Sequence, residues 1–151
     1  MANYTGANVI TTSDIQKYQP DAFDFGISTT ATETTNFLAQ TTNDILRQLR
    51  VEWWPVYKTN IFTDITVLNT AEMVNTKVNL DQFERAGVYL FLGRFYLPAL
   101  TKFRPETEKD RFERMQEYYM SQYNIEWRMI LEDGVEYDVD SSGTIVANER
   151  E

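Results

Sequence analysis

Hydrophobic positions return at helical spacing along most of this chain. The longest such stretch is Asn79–Leu100, NLDQFERAGVYLFLGRFYLPAL, where Phe83, Ala86, Gly87, Leu90, Phe91, Arg94 and Leu97 recur every three or four residues. Leu80, Val88, Tyr89, Leu92, Phe95 and Tyr96 make the same helix apolar on its other faces. A helix apolar nearly all round is either central in a core or shared with a partner. Asn79 and Gln82 have capping-box spacing, and Pro98 is expected to stop the helix near Leu97. Three further helices follow from the same pattern. A short one begins at Thr12-Ser13-Asp14 and ends before Pro20. A second runs from about Ala31 to Arg50 behind a Thr30/Glu33 box, with Phe37, Leu38, Ile45, Leu46 and Leu49 on one side and Asn36, Gln40, Asn43, Arg47 and Gln48 largely on the other. The last starts at Arg104-Pro105-Glu106 and reaches about Leu131. It carries Phe112, Met115, Tyr119, Tyr123, Trp127 and Ile130 on one face, widened by Met120 and Met129, with Gly134 as its stop.

The rest is less regular. Residues 57–78 mix bulky and β-branched side chains with Thr and Asp, without a clear period, and are expected to form a long extended loop. Val135, Tyr137 and Val139 alternate with Glu136 and Asp138, the turn cluster Asp140-Ser141-Ser142-Gly143 follows, and Thr144-Ile145-Val146 resumes strand character. The expected fold class is therefore mainly α: a small bundle of about four helices with a long mid-chain loop and a C-terminal β-hairpin or extended arm. A helical domain with an extended N-terminal segment covers 1–134, and the arm covers 135–151.

Composition narrows the chemistry. A hydrophobic content of 42% is enough for a real core. Fourteen basic against 23 acidic residues give a net charge of −9, which disfavours a surface that grips phosphates. There is no Cys and no His, which removes disulfides, common zinc sites, Cys–His pairs and serine triads. No apolar run is long enough to span a bilayer, so no membrane is expected, and the N-terminal MANYTGANVI does not resemble a secretory signal. The expected location is the cytoplasm or a particle assembled there.

Asp138, Asp140, Ser142, Gly143, Ile145 and Glu149 match the spacing of a calcium loop, where a hard cation takes side-chain oxygens at alternate positions. The flanking helices of that motif are missing, and a hairpin turn uses the same residues without metal. Glu132 with Asp133, and Glu106 with Glu108, sit where solvated charge is expected rather than an acid/base pair. No cofactor, no metal and no enzymatic activity are expected. Nine Tyr, nine Phe and three Trp favour protein–protein contact instead. Adjacent Trp53 and Trp54, followed by Pro55, cannot both point the same way, so one is assigned to the core and the other to an interface, with local packing of both as the alternative. Arg94 either pairs with a carboxylate at a subunit contact or extends outward to solvent.

These elements resemble the head-to-tail connector, or adaptor, proteins of tailed bacteriophages. The resemblance rests on Thr12–Ile15, on Asn43-Asp44-Ile45-Leu46, on the run from Ala86 through Leu92 to Tyr96-Leu97-Pro98, and on a long aromatic helix followed by an Asp/Gly-rich tail. Residues 57–78 are longer than that family's usual connection. The resemblance implies a structural virion protein of the neck: a ring, usually of twelve copies, between the portal protein and the tail or next neck protein. DNA passes through its lumen without specific binding. On that reading the arm, with Tyr137, Val139, Ile145 and Val146, faces the portal, and truncation before Gly134 leaves a folded subunit that no longer docks. Trp53, Trp54, Phe62, Arg94 and Tyr118 are the candidate contacts to a neighbouring subunit or neck protein. The alternative is an acidic intracellular interaction module with a calcium-binding C-terminal loop.

Overall fold

The computed structural model describes residues 8–24, 27–101 and 106–139. These are mainly helical: α1 Thr12–Tyr18, α2 Thr32–Glu52, α3 Trp54–Ile61, α4 Ile65–Thr70, α5 Glu84–Leu90, α6 Leu97–Thr101 and α7 Glu106–Asp133. A π-helical stretch, Phe91–Tyr96, joins α5 to α6. Among the described residues the only extended pairing is one antiparallel bridge between Val78 and Tyr137. The second half of the expected hairpin, around Ile145 and Val146, lies outside the described residues.

Local chemistry accounts for most boundaries. Thr11 caps α1 by accepting from the Asp14 amide, and the Asp14 carboxylate accepts in return from the Thr11 amide at 2.9 Å. The Thr30/Glu33 box is not formed. Ala31 is the N-cap of α2 and has no side chain to offer; instead the Thr34 hydroxyl donates to the Ser28 carbonyl at 2.7 Å. Pro55 falls in the first turn of α3, where a missing N–H has no helical partner to lose. Residues 57–78 are not one extended loop. They continue α3 and then form α4, whose N-cap Asp64 accepts from the Thr66 amide at 2.9 Å, and a 3₁₀ turn Asn75–Lys77. Capping by Asp64 and the proline start of α3 outweigh the β-branched composition that reads as extended. Gly134 ends α7 with φ 104°, a conformation open to glycine.

The central stretch departs most from expectation. It opens with a 3₁₀ turn, Leu80–Phe83, capped by Asn79, and then runs as a continuous helical rod through α5, the π stretch and α6. Pro98 does not end it. In the π stretch the Leu97 amide bonds to Leu92, five residues back, and the wider turn leaves the proline ring room against the carbonyl four residues back. Most of the rod is buried, with Arg85 and Arg94 reaching the surface, so its broad apolar character marks a central helix. Ile45, Leu49, Tyr123 and Trp127 cover Phe83, Ala86 and Leu90 on one side. Ile10, Ile15, Leu38, Phe112 and Tyr119 cover Val88, Phe91, Leu92 and Tyr96 on the other. Gly93 lets α7 approach closely, since a Cβ there would lie 2.9 Å from Cγ and Sδ of Met120 and 3.1 Å from its backbone nitrogen.

Candidate functional site

The most built polar arrangement is the seat of the C-terminal segment after α7. The Asn79 amide donates to the Glu136 carbonyl at 3.1 Å, and the Asp138 amide donates to the Lys77 carbonyl at 2.9 Å. Gln82 does not close a capping box. Its carboxamide acts as a surrogate strand: Nε2 donates to the Gly134 carbonyl at 3.0 Å, and Oε1 accepts from the Glu136 amide at 2.8 Å. Asn79 Nδ2 donates to Glu136 Oε2 at 2.6 Å, and Lys77 Nζ donates to the Val139 carbonyl at 3.0 Å. The Tyr137 ring packs tilted against Trp53 and Trp54 and edge-on to Tyr57, and its hydroxyl accepts from the Val74 amide at 3.1 Å. Burial raises the pKa of this phenol, opposed in part by that amide. Val135, Glu136, Tyr137 and Asp138 are all buried. A subunit cut before Gly134 would therefore lose part of its own core, contrary to the expectation that it stays intact.

Beside this seat lies an open cleft of about 650 Å³, lined by Asn79, Asp81, Gln82, Glu126, Met129, Ile130, Asp133 and Glu136. Its lining is acidic, with no histidine or cysteine available to it. Among the described residues no group of three or more acidic side chains is placed to hold a metal ion. Most of the proposed calcium loop lies outside the described residues; of its oxygen-bearing positions only Asp138 is described, and it is fully buried.

A second polar network ties α7 to α2. The Tyr123 hydroxyl donates to Gln48 Oε1, Gln48 Nε2 donates to Glu52 Oε2 at 2.9 Å, and Trp127 Nε1 donates to the same carboxylate oxygen at 2.8 Å. Burial raises the Tyr123 pKa, with Arg94 opposing. On the far side of the rod the Tyr119 hydroxyl donates to Gln19 Oε1 at 2.6 Å, and burial pushes this phenol up to about 12. Nothing in these networks pairs a nucleophile with a base. Their work is to satisfy polar groups inside the bundle.

The sequence candidates separate into three groups. Trp53, Trp54 and Tyr137 are in the core: the Trp53 indole stacks on Tyr57, the Trp54 indole lies tilted against it, and Trp54 Nε1 donates to the Ala71 carbonyl at 3.3 Å. Local packing of both tryptophans, the alternative to an interface role, is what the structure places. Phe62 and Val139 are half-buried against the same cluster. Arg94 pairs within the chain, with Asp44 at 3.1 Å, an exposed ion pair of the kind worth about 1 kcal/mol or less. Tyr118 is 58% exposed, and among the described aromatic residues it alone is exposed. Ile145 and Val146 lie outside the described residues. The aromatic excess is thus largely consumed inside the bundle.

Sequence reasoning missed the residues that do remain outside. Ile125 and Met129 share the outward face of α7 with Tyr118, at spacings of seven and four; Met129 is 55% exposed and does not widen the core face. Ile65 and Val67 of α4 are also exposed. The 118/125/129 spacing was available as a signal, hidden by the stronger periodicity of the core face.

No helix among the described residues is long and apolar enough to cross a membrane. Comparison with models of protein families, with characterised proteins and with solved structures finds no match to this chain.

Proposed function

We propose that this protein is a structural subunit of the neck of a tailed phage particle, a ring between the portal protein and the tail or next neck protein. The observation that carries this reading is the apolar line Tyr118, Ile125, Met129 left uncovered on the outer face of the longest helix after the core has been filled. A helix face of that kind is suited to packing against another subunit. The order of elements, which resembles that of the connector proteins, supplies the choice of assembly. The acidic charge suits a lumen along which DNA moves without adhering. Portal contact falls on the arm beyond Val139, including Ile145 and Val146, because Tyr137 is committed to the core. The ring has about twelve copies, binds no cofactor and catalyses no reaction.

Native mass spectrometry and sedimentation of the purified chain, alone and with the portal protein, test this. The expected result is a closed oligomer that stacks on the portal ring. A chain that stays monomeric at every concentration, with and without the portal, overturns it.

A further inference from the structure

Beyond its Asp64 cap, helix α4 has little visible support. It has six residues, ITVLNT, most of them poor helix formers, and not one is buried. A helix this short is not stable from propensity alone, and most helical stability in proteins comes from packing an apolar face. Yet Ile65 is 70% exposed and Val67 is 43% exposed. The exposed carboxylates of Asp64 and Glu72 flank it. The outward face of α7 is its complement in shape and charge. From Arg114 to Met129 it presents Tyr118, Ile125 and Met129 beside the exposed guanidinium groups of Arg114, which pairs with Asp110 one turn back at 3.4 Å, and of Arg128, over about 22 Å at 1.5 Å per residue. Arg128 makes no ion pair among the described residues. In a chain of net charge −9, the guanidinium of Arg128 beside Ile125 and Met129 stands apart from the prevailing acidic surface.

We infer that α4 of one copy docks on the outward face of α7 of the next. Ile65 and Val67 enter the strip between Tyr118, Ile125 and Met129, and Glu72 lies against Arg128. Two different patches on one chain make a heterologous contact, which closes into a ring when the rotation between copies permits. This rests on the ring reading above and names the surfaces that build it. The occupant is a second copy because the chain itself carries both the acidic apolar ridge and the apolar strip beside Arg128.

The test uses the full-length chain with two surface variants. Ile65→Lys/Val67→Lys puts positive charge on the ridge, and Ile125→Lys/Met129→Lys puts it on the strip, so that the two altered surfaces repel; all four positions are exposed. Circular dichroism and melting are expected to stay near wild type. Should either double variant fail to fold, Glu72→Arg and Arg114→Glu/Arg128→Glu repeat the single-variant test with no change to apolar residues. Each variant alone is expected to weaken self-association about 30-fold or more, the effect of losing a well-packed interface anchor. An equimolar mixture is expected to form a dimer and nothing larger, because each partner keeps one intact surface. A wild-type oligomer that both variants leave unchanged overturns the assignment of surfaces while the ring reading stands. Two variants that stay monomeric when mixed point to a two-fold contact and overturn the heterologous arrangement. A wild-type monomer overturns the ring reading and this inference with it.

Discussion

Replacing Tyr137 tests whether the C-terminal segment is part of the core. Its ring lies 5.2 Å from Trp54 and 5.8 Å from both Trp53 and Tyr57, centroid to centroid, and is 3% exposed. Truncation to alanine removes a buried aromatic and leaves a cavity among three other rings, a change that costs about 3–5 kcal/mol. At roughly 2–4 °C per kcal/mol for a domain of this size, the melting temperature should fall by about 6 °C or more. Tyr137→Phe keeps the ring and loses only the acceptor for the Val74 amide, held at 3.1 Å. Because Val74 is itself exposed, water can reach that amide, and the cost should sit near the low end of about 1–3 kcal/mol. Urea unfolding followed by tryptophan fluorescence is the appropriate assay, since two of the three tryptophans touch the altered ring. Gln40→Ala, at an exposed position of α2, serves as the control and should move stability by no more than about 0.5 kcal/mol. If Tyr137→Ala unfolds within about 1 kcal/mol of wild type, the segment after Gly134 is not seated on the bundle and the reasoning fails.

Three further outcomes follow from the geometry. Gly93→Ala gains up to about 1 kcal/mol of helix propensity but drives a Cβ into Met120, an overpacking that costs about 1–3 kcal/mol, so thermal melting should show net destabilisation; a stabilised variant would mean that α7 is not packed this closely. Tyr119, Tyr123 and Tyr137 all have raised pKa values, so the neutral phenol is favoured in the fold. Their contribution is complete below pH 10 and is lost as pH rises through the raised values, about 12 for Tyr119, and phenolate absorbance should show a late fraction that ionises together with unfolding. Asp14 behaves in the opposite sense: burial acts to raise its pKa, but the Thr11 amide, Lys17 and further hydrogen bonds outweigh it, and the value is lowered from 3.8. Its half of the Thr11–Asp14 capping box is therefore present above that value and lost as pH falls below it. Asp14→Asn should lower stability by about 1 kcal/mol near neutrality, and the difference from wild type should shrink in acid melts.

The helical periodicities of α2 and α7 and the glycine stop at Gly134 are local properties, and they are legible because caps, breakers and apolar spacing act within a turn or two of chain. The rod Glu84–Thr101 was recognisable as the organising helix for the same reason, but its passage through Pro98 was not. That depends on a π turn whose fit against Met120 of α7 exists only once the two helices are packed. Likewise nothing in its own neighbourhood marks Gln82 as the partner of Gly134 and Glu136, 52 and 54 positions away. Trp53 and Trp54 could be named as anchors from composition, whereas their shared burial around Tyr137 required the C-terminal segment to fold back. What composition could bound was the chemistry: without Cys or His, and with a net charge of −9, the chain was steered away from familiar catalytic sets and from phosphate binding before any fold was known. Which apolar side chains remain outside, among them Val51, Val56 and Val74, Ile65 and Val67 on α4, and Tyr118, Ile125 and Met129 on α7, was decided by tertiary packing alone, because exposure measures what the other helices failed to cover.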